Sequence, residues 1–385
     1  MLYSCIKKSY FSHLLLNQLS NQLPNQLSIP KLFAGFFLLL SMVMFSHACQ
    51  ANSPVRVAFV LVGPANTVGW SHSHELGRQY LEQVMKDKVE TTVVEFVAEG
   101  RSARTAIQEL ATKNDIVFAT SSGYMVSTEG VAKNNSQVKF ENVSGTRFGN
   151  NLAGFATRTY QPRYLSGLVA GKATQSGKVG YIASHPIPEV IRSINAFTIG
   201  VRKTNPTAVV EVQWTGSWHK PEKEKQIAAK LVANGADVLT HHTDSSTVAE
   251  FAEANNVKVI GFHSDMGSFA PTQHLVSVIH HWGPYYVKRV QALMDNKWQG
   301  QSQWMGMKDK TSQLSALNES IVKDVRDLVA QQQAAIISGE LKVFAGPIKN
   351  TRGRVRVKEG EVLSDEKLLR SSWYVEGVTG SFLSY

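Results

Sequence analysis

From Val55 onward the chain alternates short apolar runs with segments whose apolar residues recur every three or four positions. VRVAFVLV, VETTVVEFV and DIVFATS read as strands, and HELGRQYLEQVMKD and RSARTAIQELATK between them as helices. Strand, helix and strand in strict alternation predict a parallel sheet with helices on both faces.

Around residue 160 the pattern restarts. After a helix over RYLSGLVAGKATQ come strands over KVGYIAS, AVVEVQW, DVLTHHT and VKVIGFH, separated by helices over PEVIRSINAFTIGVRKT, EKEKQIAAKLVANG and SSTVAEFAEANN. Two such units predict an α/β protein of two lobes, 52–160 and 161–279, with a cleft between them. No close repeat links the two halves. LVSVIHHWGPYYVKRVQALMDNKW gives a further strand and helix, part of 280–320 completing the first lobe; a return crossing of this kind makes a hinge. The rest of 280–385 packs on the lobes through a long helix over SIVKDVRDLVAQQQAAIISG and a hairpin in KVFAGPIKNTRGRVRVKEG.

The first 51 residues do not fit this alternation. Lys7, Lys8 and Lys31 are their only charges, NQLSNQLPNQLS is polar and repetitive, and Leu32 to Phe45 is an apolar run of signal-peptide length. That run is short for a membrane span, although an uncleaved anchor is the alternative. Cleavage after SHA (Ser46 to Ala48) leaves Cys49 first. Ala48 suits a lipoprotein signal and Ser46, where leucine is usual, does not, so lipidation of Cys49 stays open. Either way the body is expected outside the cytoplasm, in a periplasm or its equivalent.

Composition narrows the function. The 385 residues are 43% hydrophobic and 18% charged, enough for one large core or two ordinary ones. Removing residues 1–51 leaves 37 basic residues against 30 acidic, but they are scattered apart from NTRGRVRVKEG, which argues against nucleic acid. Cys5 and Cys49 are the only cysteines, so the body has neither a disulfide nor a thiol nucleophile.

In open parallel sheets ligands collect beyond the carboxyl ends of strands. Six loops lie there: PANTVGW, TSSGYM, SHPIPE, TGSWHKP, HHTDSS and HSDMGS. They carry aromatic planes at Trp70, Tyr124 and Trp218, hydrogen-bonding groups at Asn66, Ser121, Ser122 and Ser184, and acids at Asp244 and Asp265. Gly69 frees the backbone to place Trp70 over the cleft, and Gly123 sits beside Ser122. Trp70 and Trp218 fall in opposite lobes, so closure would form a slot for a planar heterocycle, with an acid at its edge to accept N–H donors. Each residue has a structural alternative. The tryptophans and Tyr124 could pack under loops, Asp244 and Asp265 could cap a helix or turn, and Trp282 with Tyr285 could be core.

Catalytic motifs are missing. There is no GxSxG elbow, Walker loop or GxGxxG fingerprint after the first strand, so no enzyme, nucleotide cofactor or other cofactor is expected. His241, His242, His263, His274, His280 and His281 crowd one region and raise a metal-binding alternative. No HExxH or CxxC spacing accompanies them, and neighbours on a strand point to opposite faces.

The stretches VGPANTVGWSHSHELGR, ATSSGYM, YQPRYLSGLVAGK, GKVGYIASHPIPEVIRSINAFTIGVR, ADVLTHHTDSS, HWGPYYVKRV and FAGPIKNTRGRVRVKEGEVLSDEKLL resemble the basic membrane protein family. Its members are substrate-binding proteins of ABC importers, related to purine nucleoside receptor lipoproteins, and the resemblance covers residues 55–378. It implies a type I periplasmic-binding-protein fold and a monomer that delivers its ligand to a permease driven by an ATPase. It also implies a purine held between two aromatic rings, which fall here on Trp70 and Trp218, with a family aspartate at Asp244.

The chain also departs from the family. It has Asn66 and Thr67 where relatives carry an acid before the first aromatic. His263 stands where they read aspartate, although Asp265 is kept, and His280 to Trp282 occupy the segment where nucleoside binders place a lysine. Loss of these ribose-directed charges favours a free base such as adenine over a nucleoside. A ligand sensor acting on a membrane signalling partner would share the same fold and site.

Overall fold

The computed structural model describes residues 53–65 and 68–380. The readings of 1–51 as an export signal, of Cys49 as a lipid site and of Asn66 as a ligand contact lie outside the described residues.

The first lobe runs β1 (Val55–Val60), α1 (Trp70–Met85), β2 (Val89–Val94), α2 (Arg101–Ala111), β3 (Ile116–Ala119), α3 (Met125–Ala132), β4 (Lys139–Val143) and β5 (Leu152–Thr157). β3 is buried at all four positions and β1 at its last four, as expected for strands covered on both faces. The second lobe runs α4 (Tyr160–Ala173), β6 (Lys178–Ala183), α5 (Pro188–Thr204), β7 (Val209–Trp214), α6 (Pro221–Ala233), β8 (Val238–His242), α7 (Thr247–Ala254), β9 (Lys258–His263) and β10 (His274–His280). The chain then returns through α8 (Gly283–Met294) and β11 (Ser302–Met305), and crosses again to β12 (Ser312–Leu314).

Those crossings show in the sheets. One has the order β11-β5-β4-β3-β1-β2 and is parallel throughout. The other, β12-β10-β9-β8-β6-β7-β15, is parallel except where β12 pairs with β10; β15 is Val378–Thr379. The chain therefore passes between lobes three times, near residues 157–160, 280–283 and 305–312. Short parallel crossings are the geometry of a hinge.

After β12, α9 (Lys323–Ser338) packs on the second lobe, followed by a hairpin of β13 (Ile348–Lys349) and β14 (Val355–Val357) and by α10 (Asp365–Leu369). Arg158, on the first crossing, forms a two-pronged ion pair with Asp365 at 2.7 and 2.6 Å, so α10 is tied to the hinge. No helix among the described residues is long and apolar enough to cross a membrane.

One buried ion pair joins β4 to the returning helix. Glu141 is fully buried and accepts from Arg289, from the Tyr285 hydroxyl at 2.7 Å and from the Trp298 indole at 2.8 Å. Burial pushes its carboxyl pKa up, while Arg289 opposes the shift. Removing one member of such a pair leaves an uncompensated buried charge. Glu141→Ala is therefore expected to lose about 3–5 kcal/mol of stability. An unchanged urea midpoint would contradict this.

Candidate functional site

The carboxyl ends of both sheets meet around a cavity of about 490 Å³, part of it open to solvent. The first lobe contributes Val62, Trp70, Ser121, Ser122 and Ser144. The second contributes Ile187, Glu189, Trp218, His242, Asp244 and His263. Among the described residues, the lining holds two carboxylates and no lysine or arginine. A phosphate would find no counter-charge here, whereas a neutral ligand rich in N–H donors would find acceptors.

Trp70 opens α1 and is held on several sides. Its indole N–H donates to the Thr120 carbonyl at 2.6 Å. His74, His263, His280 and Trp282 meet its ring edge-on, at centroid distances of 4.6, 5.3, 5.2 and 5.5 Å. Such contacts hold the ring in one orientation. Trp218, after β7, is half-buried and braced by His185 at 5.0 Å.

Asp244 follows β8, and its side chain does not cap α7, the helix just after it. Its carboxylate accepts instead from the backbone N–H of Trp70, the first residue of α1 in the other lobe. A helix start leaves N–H groups without partners and carries a partial positive charge, so an acid there is favoured. Burial still pushes the Asp244 pKa up to about 6, against the pull of the Trp70 N–H. Its own backbone is fixed by Trp218 and His219, each at 2.7 Å.

Three further contacts close the cleft. The Ser264 hydroxyl bridges the N–H and C=O of Gly69, both at 3.1 Å. Ser144 donates to Glu189 at 3.0 Å, and Val68 is buried among apolar residues of the second lobe. Gly69 has φ +102° and ψ −156°, a region open to glycine alone, and a Cβ there would lie 1.9 Å from the Asp244 carboxylate.

The crowded histidines interleave with aromatic rings. Among the described residues, no group of three or more His, Cys, Asp or Glu side chains is arranged to hold a metal. His263 Nδ1 and His280 Nε2 are 3.0 Å apart, and Trp282 is stacked between His74 and His280. Burial pushes all five of His74, His241, His242, His263 and His280 down, His241 and His280 to about 3. Arg163 adds to this for every one except His74. That guanidinium is fully buried, bonded to Thr240 and the His241 carbonyl and set 3.8 Å over Phe262.

The structure thus brings Trp70, Trp218, Asp244, Ser122 and His263 to one cavity, with Gly69 at its edge. It puts other expected residues elsewhere. Tyr124 is buried in the first lobe's core, its hydroxyl donating to the Val97 carbonyl at 2.5 Å. Gly123 packs under Glu99, where a Cβ would fall 2.0 Å from the carboxyl carbon. Asp265 is mostly exposed and holds its own turn through Gly267 at 3.0 Å. Trp282 is buried behind Trp70, donating to Ser73 at 3.1 Å. Sequence reasoning did not single out Val62, Ser144, Ile187, Glu189 or His242 for the site. Ile187 and Glu189 lie within SHPIPE and His242 within HHTDSS, so strand-end position was their signal. Ser144 follows a strand whose polar residues hid it.

Two α/β lobes joined by three crossings, with a cavity lined from both sides, are the architecture of a two-lobed binding protein. The chain belongs to the basic membrane protein (Bmp) family, described as PnrA-like ABC transporter substrate-binding proteins, whose model matches residues 54–345. A purine-binding protein of Brucella abortus is 39% identical over 336 residues, covering 87% of this chain and 96% of that one. A protein of Haloferax volcanii named as a candidate ABC transporter glucose-binding protein is 33% identical over 327 residues, 85% and 81% of the two chains. The fold matches that of a solute-binding protein of an ABC transporter from Conexibacter woesei, with a TM-score of 0.63 at 21% identity, covering 74% of this chain and 97% of that one. The protein is accordingly a substrate-binding component of an ABC importer and not an enzyme. It works outside the cytoplasm with a small-molecule ligand, a permease and its ATPase.

Proposed function

We propose that the protein captures a free purine base such as adenine between Trp70 and Trp218 as its lobes close, and delivers it to the permease. One observation carries the reading: two tryptophans from opposite lobes line a single cavity that, among the described residues, has acceptors and no lysine or arginine. Stacking on each ring contributes about 0.5–1.5 kcal/mol beyond buried area, and Asp244 can accept a ring N–H or an exocyclic amine. The Brucella relative's name supports a purine. His263, in place of a ribose-directed acid, supports base over nucleoside. Closure follows from the ligand's preference for the closed state. The proposal includes a monomer, with a lipid on Cys49 where the signal is cut before it.

Calorimetric titration of adenine, hypoxanthine, guanine, adenosine, inosine and glucose tests this. A base is expected to bind at least roughly tenfold tighter than its nucleoside, a difference of about 1.4 kcal/mol. Tighter nucleoside binding would overturn the preference, and glucose binding without purine binding would overturn the ligand class.

A further inference from the structure

Resting on that purine reading, we infer that His263 donates a hydrogen bond to the ligand through Nε2–H, and that His280 is the positioning residue that puts the proton there. His263 lines the cavity, whereas His280 is buried behind it. The backbone of His263 sits at φ +68°, a conformation histidine tolerates better than most residues and one that tends to be kept at functional sites.

Both rings are neutral, so one proton lies between His263 Nδ1 and His280 Nε2, 3.0 Å apart. Two arrangements satisfy that bond. If His263 Nδ1 donates, His280 must carry its own proton on Nδ1, which is buried and has no partner among the described residues. An orphaned buried N–H is the rarer and costlier outcome. If His280 Nε2 donates, its Nδ1 is a bare lone pair, and the proton of His263 moves to Nε2. With Nδ1 engaged, Nε2 is the ring nitrogen left for a ligand.

His280 is well held for this task. It stacks on Trp282 at 5.2 Å and 17°, and its ring meets Trp70 edge-on at 5.2 Å. The cavity then offers a donor at His263 beside an acceptor at Asp244. A purine base presents the complement, with N–H groups and ring-nitrogen lone pairs along one edge. A sugar hydroxyl would take either partner, so the fixed tautomer favours the base.

Long-range ¹H–¹⁵N correlation spectra of the full protein read the tautomers directly. His263 is expected as the Nε2–H form, free and with adenine bound. His280→Phe keeps a ring on Trp282 but removes the N–H; adenine affinity should fall roughly tenfold and the His263 spectrum should change. His280→Gln returns an amide N–H and should restore most of the affinity. A His263 Nδ1–H tautomer in the unaltered protein overturns the inference, as does a His280→Phe protein with unchanged affinity and spectrum. If adenine fails to bind the unaltered protein, the purine reading fails, and the free-protein spectrum still decides where the proton sits.

Discussion

Gly69→Ala is expected to remove ligand-driven closure, weakening purine binding by a hundredfold or more, about 2.7 kcal/mol at least. Two effects add. The φ of +102° is costly for any residue with a Cβ, on the order of 1–3 kcal/mol, and that Cβ would stand 1.9 Å from the Asp244 carboxylate. Relieving the overlap separates Asp244 from the Trp70 N–H, a hydrogen bond to a charged group that contributes about 1.5–3 kcal/mol. Gly177→Ala is the matched control, since its φ is +72° and a Cβ there meets nothing within 4 Å. Small-angle scattering should show the Gly177 variant compacting on ligand and the Gly69 variant failing to do so. Equal affinities in the two variants would contradict a role for the contact across the cleft.

Acid should destabilise the protein steeply. His74, His241, His242, His263 and His280 are neutral when folded, because burial holds their pKa values down. In the unfolded chain they take up protons below about pH 6.5. Their contribution is full above that pH and is lost as pH falls toward the folded values, about 3 for His241 and His280. Each unit of separation corresponds to about 1.4 kcal/mol per group. Asp244 acts with the opposite sign: its pKa is raised to about 6, so its contribution is full at low pH and lost as pH rises through that value. Five groups outweigh one, so stability is expected to fall steeply between pH 6 and pH 4. Urea midpoints that stay level over that range would contradict the neutral cluster.

Strand-end loops and the two lobes were legible because parallel strands buried on both faces leave continuous apolar runs, as in β3 and β9. Helix α5 was equally plain, starting at Pro188 and ending at Thr204 as its pattern indicates. β4 was not, because KFENV places Glu141 and Asn142 in a strand interior, where partners far along the chain satisfy them. The short strands β11 and β12 take their place from the crossings they end and carry little pattern of their own. The site divided in the same way. Trp70 and Trp218 stood out as aromatics in polar loops, but a tryptophan buried behind the cavity, Trp282, looks the same in sequence as one lining it. Asp244 was read as either a cap or a contact. It does cap a helix, the one across the cleft, and no local pattern carries that information.

The most direct test is a crystal structure of the protein with adenine. The account predicts the purine plane between the indoles of Trp70 and Trp218, with Asp244 accepting from its N–H edge and His263 at hydrogen-bonding distance from a ring nitrogen. A base bound outside this cavity, or inside it with only one tryptophan against its face, would contradict the account.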